Sequence, residues 1–180
     1  MQTKRKLVVI PPSGREQLKA LNPEQEVYLD LLKNNEQVFA LGRAGTGKTY
    51  MPTALAADMF ISKSIKKLVI VRPAVAAGGE NLGYLPGDLE EKIAPWAYPV
   101  LDILEQRLGK GNLQELLNKE AIVTESLGYM RGRTYNDSMI ILDEAQNTTP
   151  LQMHLFLTRV GYNSKVVVAG DLRQTDISKL

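Results

Sequence analysis

Eight consecutive residues constrain this chain more than any other feature. Residues 42–49 read Gly-Arg-Ala-Gly-Thr-Gly-Lys-Thr and match the phosphate-binding pattern Gly-x-x-x-x-Gly-Lys-Thr at every fixed position. The apolar run Val38–Leu41 predicts a buried strand before this loop, and residues 48–61 favour a helix after it. In such a unit the loop N–H groups and the helix N-terminus face an anion. The pattern therefore predicts a P-loop that binds a nucleoside triphosphate.

Each residue of this loop has an expected role. Lys48 is expected to contact the β and γ phosphates, and the Thr49 hydroxyl to ligate Mg²⁺. The backbone nest around the phosphates is assigned to Gly42, Arg43, Ala44, Gly45, Thr46 and Gly47. ATP and Mg²⁺ are the cofactors that this motif predicts.

A second motif is the apolar run Met139–Leu142, which ends in two acids. Asp143 is expected to hold Mg²⁺ as a Walker B residue, and Glu144 to act as general base toward water. Taken alone, a strand that ends in two acids is equally typical of a solvated strand end. The complete P-loop earlier in the chain favours the catalytic interpretation.

A third segment follows the apolar run that ends at Ala169. Gly170 and Asp171 form a turn there, and Gln174 is a candidate γ-phosphate sensor that contacts phosphate or water. The alternative is an ordinary turn with an exposed glutamine. Residues 118–121 read Asn-Lys-Glu-Ala and lack the aspartate of a guanine-reading motif, which favours ATP over GTP.

The order of elements predicts an α/β fold: one P-loop domain with a parallel sheet and helices on both faces. Strands are expected at residues 38–41, 68–71, 121–123, 139–142 and 165–169. Helices are expected from the Asn22 cap, over 48–61, over 88–107 with interruptions at Pro95 and Pro99, and from Thr149 to about 160. Residues 74–88 predict a long loop, and the chain divides into an extension (1–21) and the domain (22–180). The segments after Leu41, Val71, Leu142 and Ala169 should meet at one sheet edge.

Composition excludes several classes. The chain has no cysteine, which excludes disulfides and thiolate metal sites, and its one histidine, His154, is expected to be a surface or packing residue. The net charge of +2 does not by itself indicate a nucleic-acid binder. No apolar run reaches the roughly 20 residues of a membrane span, so a cytoplasmic location is expected.

Further segments carry a resemblance to a known family. They read Val-Arg-Pro-Ala (71–74), Leu-Gly-Tyr-Leu-Pro-Gly-Asp (82–88), Tyr-Met-Arg-Gly-Arg-Thr (129–134), Ile-Leu-Asp-Glu-Ala-Gln-Asn-Thr-Thr (141–149) and Gly170 to Asp176. Together with the P-loop they resemble the PhoH-like ATPases, related to superfamily 1 helicases, over residues 18–178. The resemblance implies a RecA-like core, ATP hydrolysis, action on RNA or single-stranded nucleic acid, and homo-oligomeric rings, with hexamers expected.

The same resemblance implies two further points. Gln25 is similar to the glutamine with which helicases read the adenine edge, while the sequence around it also predicts a helix-capping role. The family generally continues into another strand and a helix carrying an arginine, and the sequence stops at Leu180. Nucleotide binding is therefore expected to survive, with hydrolysis reduced.

The source of an arginine finger and the surface for nucleic acid stay open. Arg131 and Arg133 are candidates for a finger given to a neighbouring subunit, the alternative being ordinary surface arginines. A basic rim is expected from Arg72, Lys92, Arg107, Lys110, Arg131, Arg133, Arg159 and Lys165, with stacking surfaces at Tyr84, Trp96 and Tyr98. Interleaved acids and a packing role for Trp96 are the alternatives.

The rival functions are a nucleotide-binding switch or assembly module and a P-loop kinase for a small molecule.

Overall fold

A computed structural model describes residues 17–73 and 95–175 of the chain. Several predictions concern residues outside these ranges. They are residues 1–16 of the expected extension, the long loop at 74–88, the first part of the helical region at 88–107, and the expected roles of Tyr84 and Lys92.

The described residues form five helices and five strands. The helices are α1 (Pro23–Asn34), α2 (Tyr50–Ile61), α3 (Tyr98–Leu108), α4 (Lys110–Asn118) and α5 (Pro150–Leu157). The strands are β1 (Gln37–Leu41), β2 (Lys67–Arg72), β3 (Ile122–Ser126), β4 (Ser138–Leu142) and β5 (Lys165–Gly170). Short 3₁₀ turns lie at Pro95–Ala97, Leu127–Met130 and Ala145–Asn147.

All five strands are parallel, in the order β1-β5-β4-β2-β3. The register places Val69 opposite both Ile140 and Val123, so β2 lies between β4 and β3. Because every strand runs the same way, all their carboxyl ends lie at one edge of the sheet. The predicted α/β class and parallel sheet are confirmed.

Helices cover both faces of this sheet, as predicted. Since strand side chains alternate, Leu68 and Ile70 of β2 face one layer while Val69 and Val71 face the other. The first layer contains apolar side chains of α1, α2, α3 and α4. The second contains Phe156 of α5 and the 3₁₀ turn Leu127–Met130.

The helix starts follow local chemistry. The Asn22 side chain accepts from the Gln25 N–H and caps α1, while Pro23 occupies the first turn. The Leu21 N–H donates to Gln25 Oε1 at 2.9 Å. In a capping box the donor would be the N–H of the N-cap residue, which is one position later in the chain. Thr149 and the residue three positions on form a complete capping box at α5.

Two predicted boundaries were wrong, and one helix was not predicted. Helix α5 ends at Leu157 rather than near residue 160, where the Thr158 hydroxyl donates to the His154 carbonyl. Strand β3 is longer than predicted and pairs along all of its length with β2. Helix α4 was not predicted, because its first turn contains Gly111 and no side chain caps it. In the described part of 88–107, Pro95 opens a 3₁₀ turn and Pro99 lies in the first turn of α3.

Replacing Phe156 with alanine should lower the free energy of unfolding by about 3–5 kcal/mol, because the ring is completely buried in the second layer. Denaturant unfolding followed by circular dichroism would measure the change. Leu151→Ala on the same helix is the matched control: Leu151 is 76% exposed, so its loss should change stability by less than about 0.5 kcal/mol. Equal losses in the two variants would contradict the described packing of α5.

Candidate functional site

The carboxyl ends of β1, β2, β4 and β5 meet at one cavity of about 550 Å³. This is the convergence that the sequence predicts. The predicted site residues that line it are Gln25, Ala44, Gly45, Gly47, Lys48, Thr49, Asp143, Glu144 and Gln174. Gly42, Arg43 and Thr46 belong to the same loop without lining the cavity.

The loop between β1 and α2 has the backbone that a phosphate nest needs. Gly45 and Gly47 have φ of 78° and 89°, a region that L side chains rarely adopt. The loop is tied to the end of β5, since the Ala44 N–H donates to Asp171 Oδ2 at 3.2 Å. Lys48 Nζ donates to the Arg43 carbonyl at 2.6 Å, which holds its ammonium group across the loop.

Two oxygen ligands for a divalent cation lie side by side. The Thr49 Oγ1 hydroxyl donates to Asp143 Oδ1 at 2.8 Å, joining the start of α2 to the end of β4. Mg²⁺ prefers oxygen ligands, and usually takes only one or two of them from protein beside waters and phosphate oxygens. This donor pair fits magnesium bound together with a nucleotide.

Glu144 lies in a strained turn directly after β4. Its backbone is left-handed, with φ 54° and ψ 39°, which costs about 1–2 kcal/mol for a residue other than glycine. The turn places its carboxylate beside Asp143 at the cavity. Its Oε1 accepts from Arg72 Nη2 at 3.2 Å, and its Oε2 accepts from Gln146 Nε2.

Gln146 connects the turn after β4, which carries Glu144, to the turn after β5, which carries Asp171. The sequence alone indicates no role for this residue. Its Oε1 accepts from the Asp171 N–H at 3.0 Å, and its Nε2 also donates to the Gln174 carbonyl at 3.3 Å. The one sequence feature that could have indicated this role is an amide side chain two residues after the paired acids. Gln146 thereby links the turn of Glu144 to the segment that carries Gln174.

Gln25 contacts the loop between β1 and α2 as well as the start of α1. Its amide Nε2 donates to the Thr46 carbonyl of the loop at 3.1 Å, while its Oε1 receives the bond from the helix start. Its neighbour on α1, Tyr28, donates to the Lys48 carbonyl at 2.8 Å, and burial raises the pKa of the Tyr28 hydroxyl. Helix α1 is thus fastened to the phosphate-binding loop.

Arg131 and Arg133 do not line the cavity of their own chain. Arg133 Nη1 donates to Glu125 Oε2 at 3.0 Å, and the Tyr135 hydroxyl donates to the other oxygen of Glu125. The Glu125 carboxylate raises the pKa of Arg133, and burial together with the bond to Glu125 raises the pKa of Tyr135. Arg131 is exposed. Arg133 therefore neutralises a buried carboxylate, a structural role that the sequence analysis did not assign.

The predicted basic rim is not one surface. Arg72 ends β2 and Lys165 begins β5, so they lie at opposite edges of the parallel sheet. Arg107 is buried and pairs with Asp58 at 2.9 Å. Tyr98 is exposed, whereas Trp96 lies at the cavity against Arg72.

His154 is exposed on α5, in agreement with its predicted surface role. Within residues 17–73 and 95–175, no helix has the length and apolarity to cross a membrane.

The family model and the curated relatives that match this chain all belong to one protein family. A family model described as PhoH-like protein matches residues 17–180. The PhoH-like protein of Bacillus subtilis is 48% identical over 155 residues, which cover 86% of this chain and 48% of that protein. Protein PhoH of Escherichia coli is 44% identical over 162 residues, covering 89% of this chain and 46% of that protein. The chain thus spans about half the length of these relatives.

A solved structure shares the fold. The SWI2/SNF2 ATPase core of Sulfolobus solfataricus in complex with dsDNA superposes with a TM-score of 0.54. The match covers 84% of this chain and 32% of that one, with 14% sequence identity. At that identity the match establishes a common ATPase-core fold.

Proposed function

The chain belongs to the family of PhoH-like proteins, and we propose that it binds and hydrolyses ATP with magnesium. The observation that carries the proposal is the 2.8 Å bond between Thr49 and Asp143 in the cavity that Lys48 and Glu144 also line. It joins the phosphate-binding and metal-binding halves of one site.

In the proposed reaction, the loop N–H groups and Lys48 hold the β and γ phosphates. Thr49 and Asp143 would hold magnesium, which would neutralise phosphate charge in the transition state. Glu144 accepts a proton from a water that attacks the γ phosphorus, and ADP leaves as the bond to the β-phosphate oxygen breaks. Gln174 hydrogen-bonds the transferred group or the attacking water. Positioning and charge stabilisation supply most of the rate in phosphoryl transfer.

Gln25 is the proposed reader of adenine. Gln25→Ala should weaken ATP binding about fivefold, the value of one hydrogen bond of about 1 kcal/mol. Asn22→Ala is the matched control, because it removes only the helix cap and should cost about 1 kcal/mol of stability without a change in nucleotide affinity. Isothermal titration with ATP and thermal unfolding would separate the two roles. Equal affinities in both variants would assign Gln25 to capping alone.

We extend the proposal to RNA or single-stranded nucleic acid as the partner, with the chain acting in a homo-oligomeric ring in the cytoplasm. Its support is the resemblance to helicase-related ATPases and the fold shared with an ATPase core that was solved with dsDNA. Exposed Arg131 is the better candidate for a finger given to a neighbouring subunit, since Arg133 is engaged with Glu125. Equal turnover in wild type and Arg131→Ala would exclude that role.

The deciding experiment is steady-state release of phosphate from ATP, with and without single-stranded RNA or DNA. Stimulation by nucleic acid that declines steeply with salt would support the proposed partner, because contacts to a phosphate backbone release counterions. Hydrolysis without stimulation would leave an ATPase with another partner. Tight ATP binding with negligible turnover would favour a nucleotide-binding switch, and phosphate transferred to a small acceptor would favour a kinase.

A further inference from the structure

Arg72 is a cation within the cavity that the proposed reaction has not used. It is the last residue of β2, and its Nη2 donates at 3.2 Å to Asp143 Oδ2 and at 3.2 Å to Glu144 Oε1. The central carbon of its guanidinium lies 5.4 Å from the centre of the Trp96 ring. The Arg72 side chain thus lies between two acids and an aromatic face. Because it is 31% exposed, it is not buried in the core.

The contact between Arg72 and Glu144 occupies one acceptor position of the carboxylate that is the proposed general base. Both oxygens of this carboxylate already accept hydrogen bonds, one from Arg72 and one from Gln146. Both oxygens of Asp143 do so as well, from Thr49 and from Arg72. A general base needs an acceptor position directed at its water, within hydrogen-bond reach. Release of the Arg72 contact would provide that position on Glu144.

A bound nucleotide offers Arg72 a stronger partner in the same cavity. A terminal phosphate carries more negative charge than one carboxylate and presents several oxygens, and the planar guanidinium fork matches such a group. The Trp96 ring can retain the guanidinium by a cation–π contact while its N–H groups change partners. The two acids would then be available to hold magnesium and to accept from a water.

We propose that Arg72 recognises the terminal phosphate of ATP from within the same chain, exchanging its contact with Glu144 for one with that phosphate. The inference rests on the proposed ATPase function and adds a residue to it. Arg72 thereby supplies positive charge at the γ position without a neighbouring subunit. The exchange frees an additional acceptor position on Glu144 when a terminal phosphate is present.

Trp96 provides a direct readout, because it is the single tryptophan of the chain and lies against Arg72. The full chain would be titrated with Mg-ADP and with the non-hydrolysable β,γ-imido analogue of ATP while its fluorescence is recorded. The analogue should change the Trp96 emission because the guanidinium reorients on the ring face toward the phosphate, and ADP should leave it nearly unchanged. Equilibrium dialysis with the same two nucleotides would give their affinities independently.

Arg72→Met should lower the preference for the analogue over ADP about tenfold, since one charge-assisted contact to the terminal phosphate is lost. Affinity for ADP should change little, and Arg72→Lys should recover part of the preference. Lys66→Met is the matched control. Lys66 directly precedes the same strand at its other end and is also ion-paired, with Asp137, so its loss should leave the preference unchanged.

The outcomes separate this inference from the proposed function. If Arg72→Met weakens the analogue and ADP equally, or neither, Arg72 only supports the structure and the inference is overturned while ATP binding stands. An identical Trp96 response to both nucleotides overturns it too. If the wild-type chain binds neither nucleotide in dialysis, the proposed function fails and the inference fails with it.

Discussion

Replacing Glu144 with glutamine should reduce ATP turnover about 10²–10⁴-fold, which is the range of a lost general base. Glutamine keeps the shape of the side chain and can still fill the turn after β4, but it cannot take a proton from water. ATP binding should persist, because the proposed phosphate contacts come from the loop, Lys48 and Arg72. Single-turnover hydrolysis together with equilibrium binding of Mg-ATP would measure both quantities.

The matched control is Glu115→Gln, which neutralises an exposed carboxylate on α4 that pairs with Lys119. It should leave turnover unchanged. Hydrolysis by Glu144→Gln at the wild-type rate would remove Glu144 from the mechanism. Loss of ATP binding in that variant would instead show that its charge holds the nucleotide site together.

Lys48→Ala should weaken ATP binding by at least about a hundredfold and abolish measurable hydrolysis. The ammonium group is expected to make charge-assisted contacts to two phosphates, each worth about 1.5–3 kcal/mol. It also spans the loop through the Arg43 carbonyl, so its loss loosens the nest before any nucleotide arrives. Isothermal titration with Mg-ATP and a phosphate-release assay would measure the two effects.

Lys119→Ala serves as the control for this change, because Lys119 is an exposed lysine with an ion pair on α4. Its affinity for ATP should match that of the wild type. If Lys48→Ala bound ATP as tightly as the wild type, the phosphate-binding role of residues 42–49 would be wrong, whatever their resemblance to a P-loop.

Local chemistry explains why much of the fold was predictable. The Asn22 cap and the Thr149 capping box are set by neighbouring residues, and the apolar runs of β4 and β5 are continuous because both faces of these strands are covered. Helix α4 lacks such signals. The burial of Leu113 and Leu116 against other elements stabilises it, and no short window of sequence contains that information.

The same distinction applies to the site. The P-loop and the acids at 143–144 are contiguous motifs, so their meeting follows from parallel strands. The partner of Arg72 depends on β2 lying beside β4, and the partner of Arg133 on the position of Glu125 at the end of β3. The Arg72 pairing joins distant parts of the sequence, whereas Arg133 and Glu125 lie close together on either side of a short 3₁₀ turn. The sequence therefore placed both arginines in an expected basic rim without indicating the carboxylate that each one contacts.

The left-handed backbone of Glu144 lowers the stability of the fold at a residue that is proposed to act in the reaction. Glycine would adopt this conformation without a steric penalty, so a chain selected only to resist unfolding would gain by having glycine there, by about 1 kcal/mol. It would also lose the carboxylate at the cavity. Efforts to make this protein more heat-resistant should therefore leave position 144 alone, because a gain in melting temperature there would remove the proposed general base.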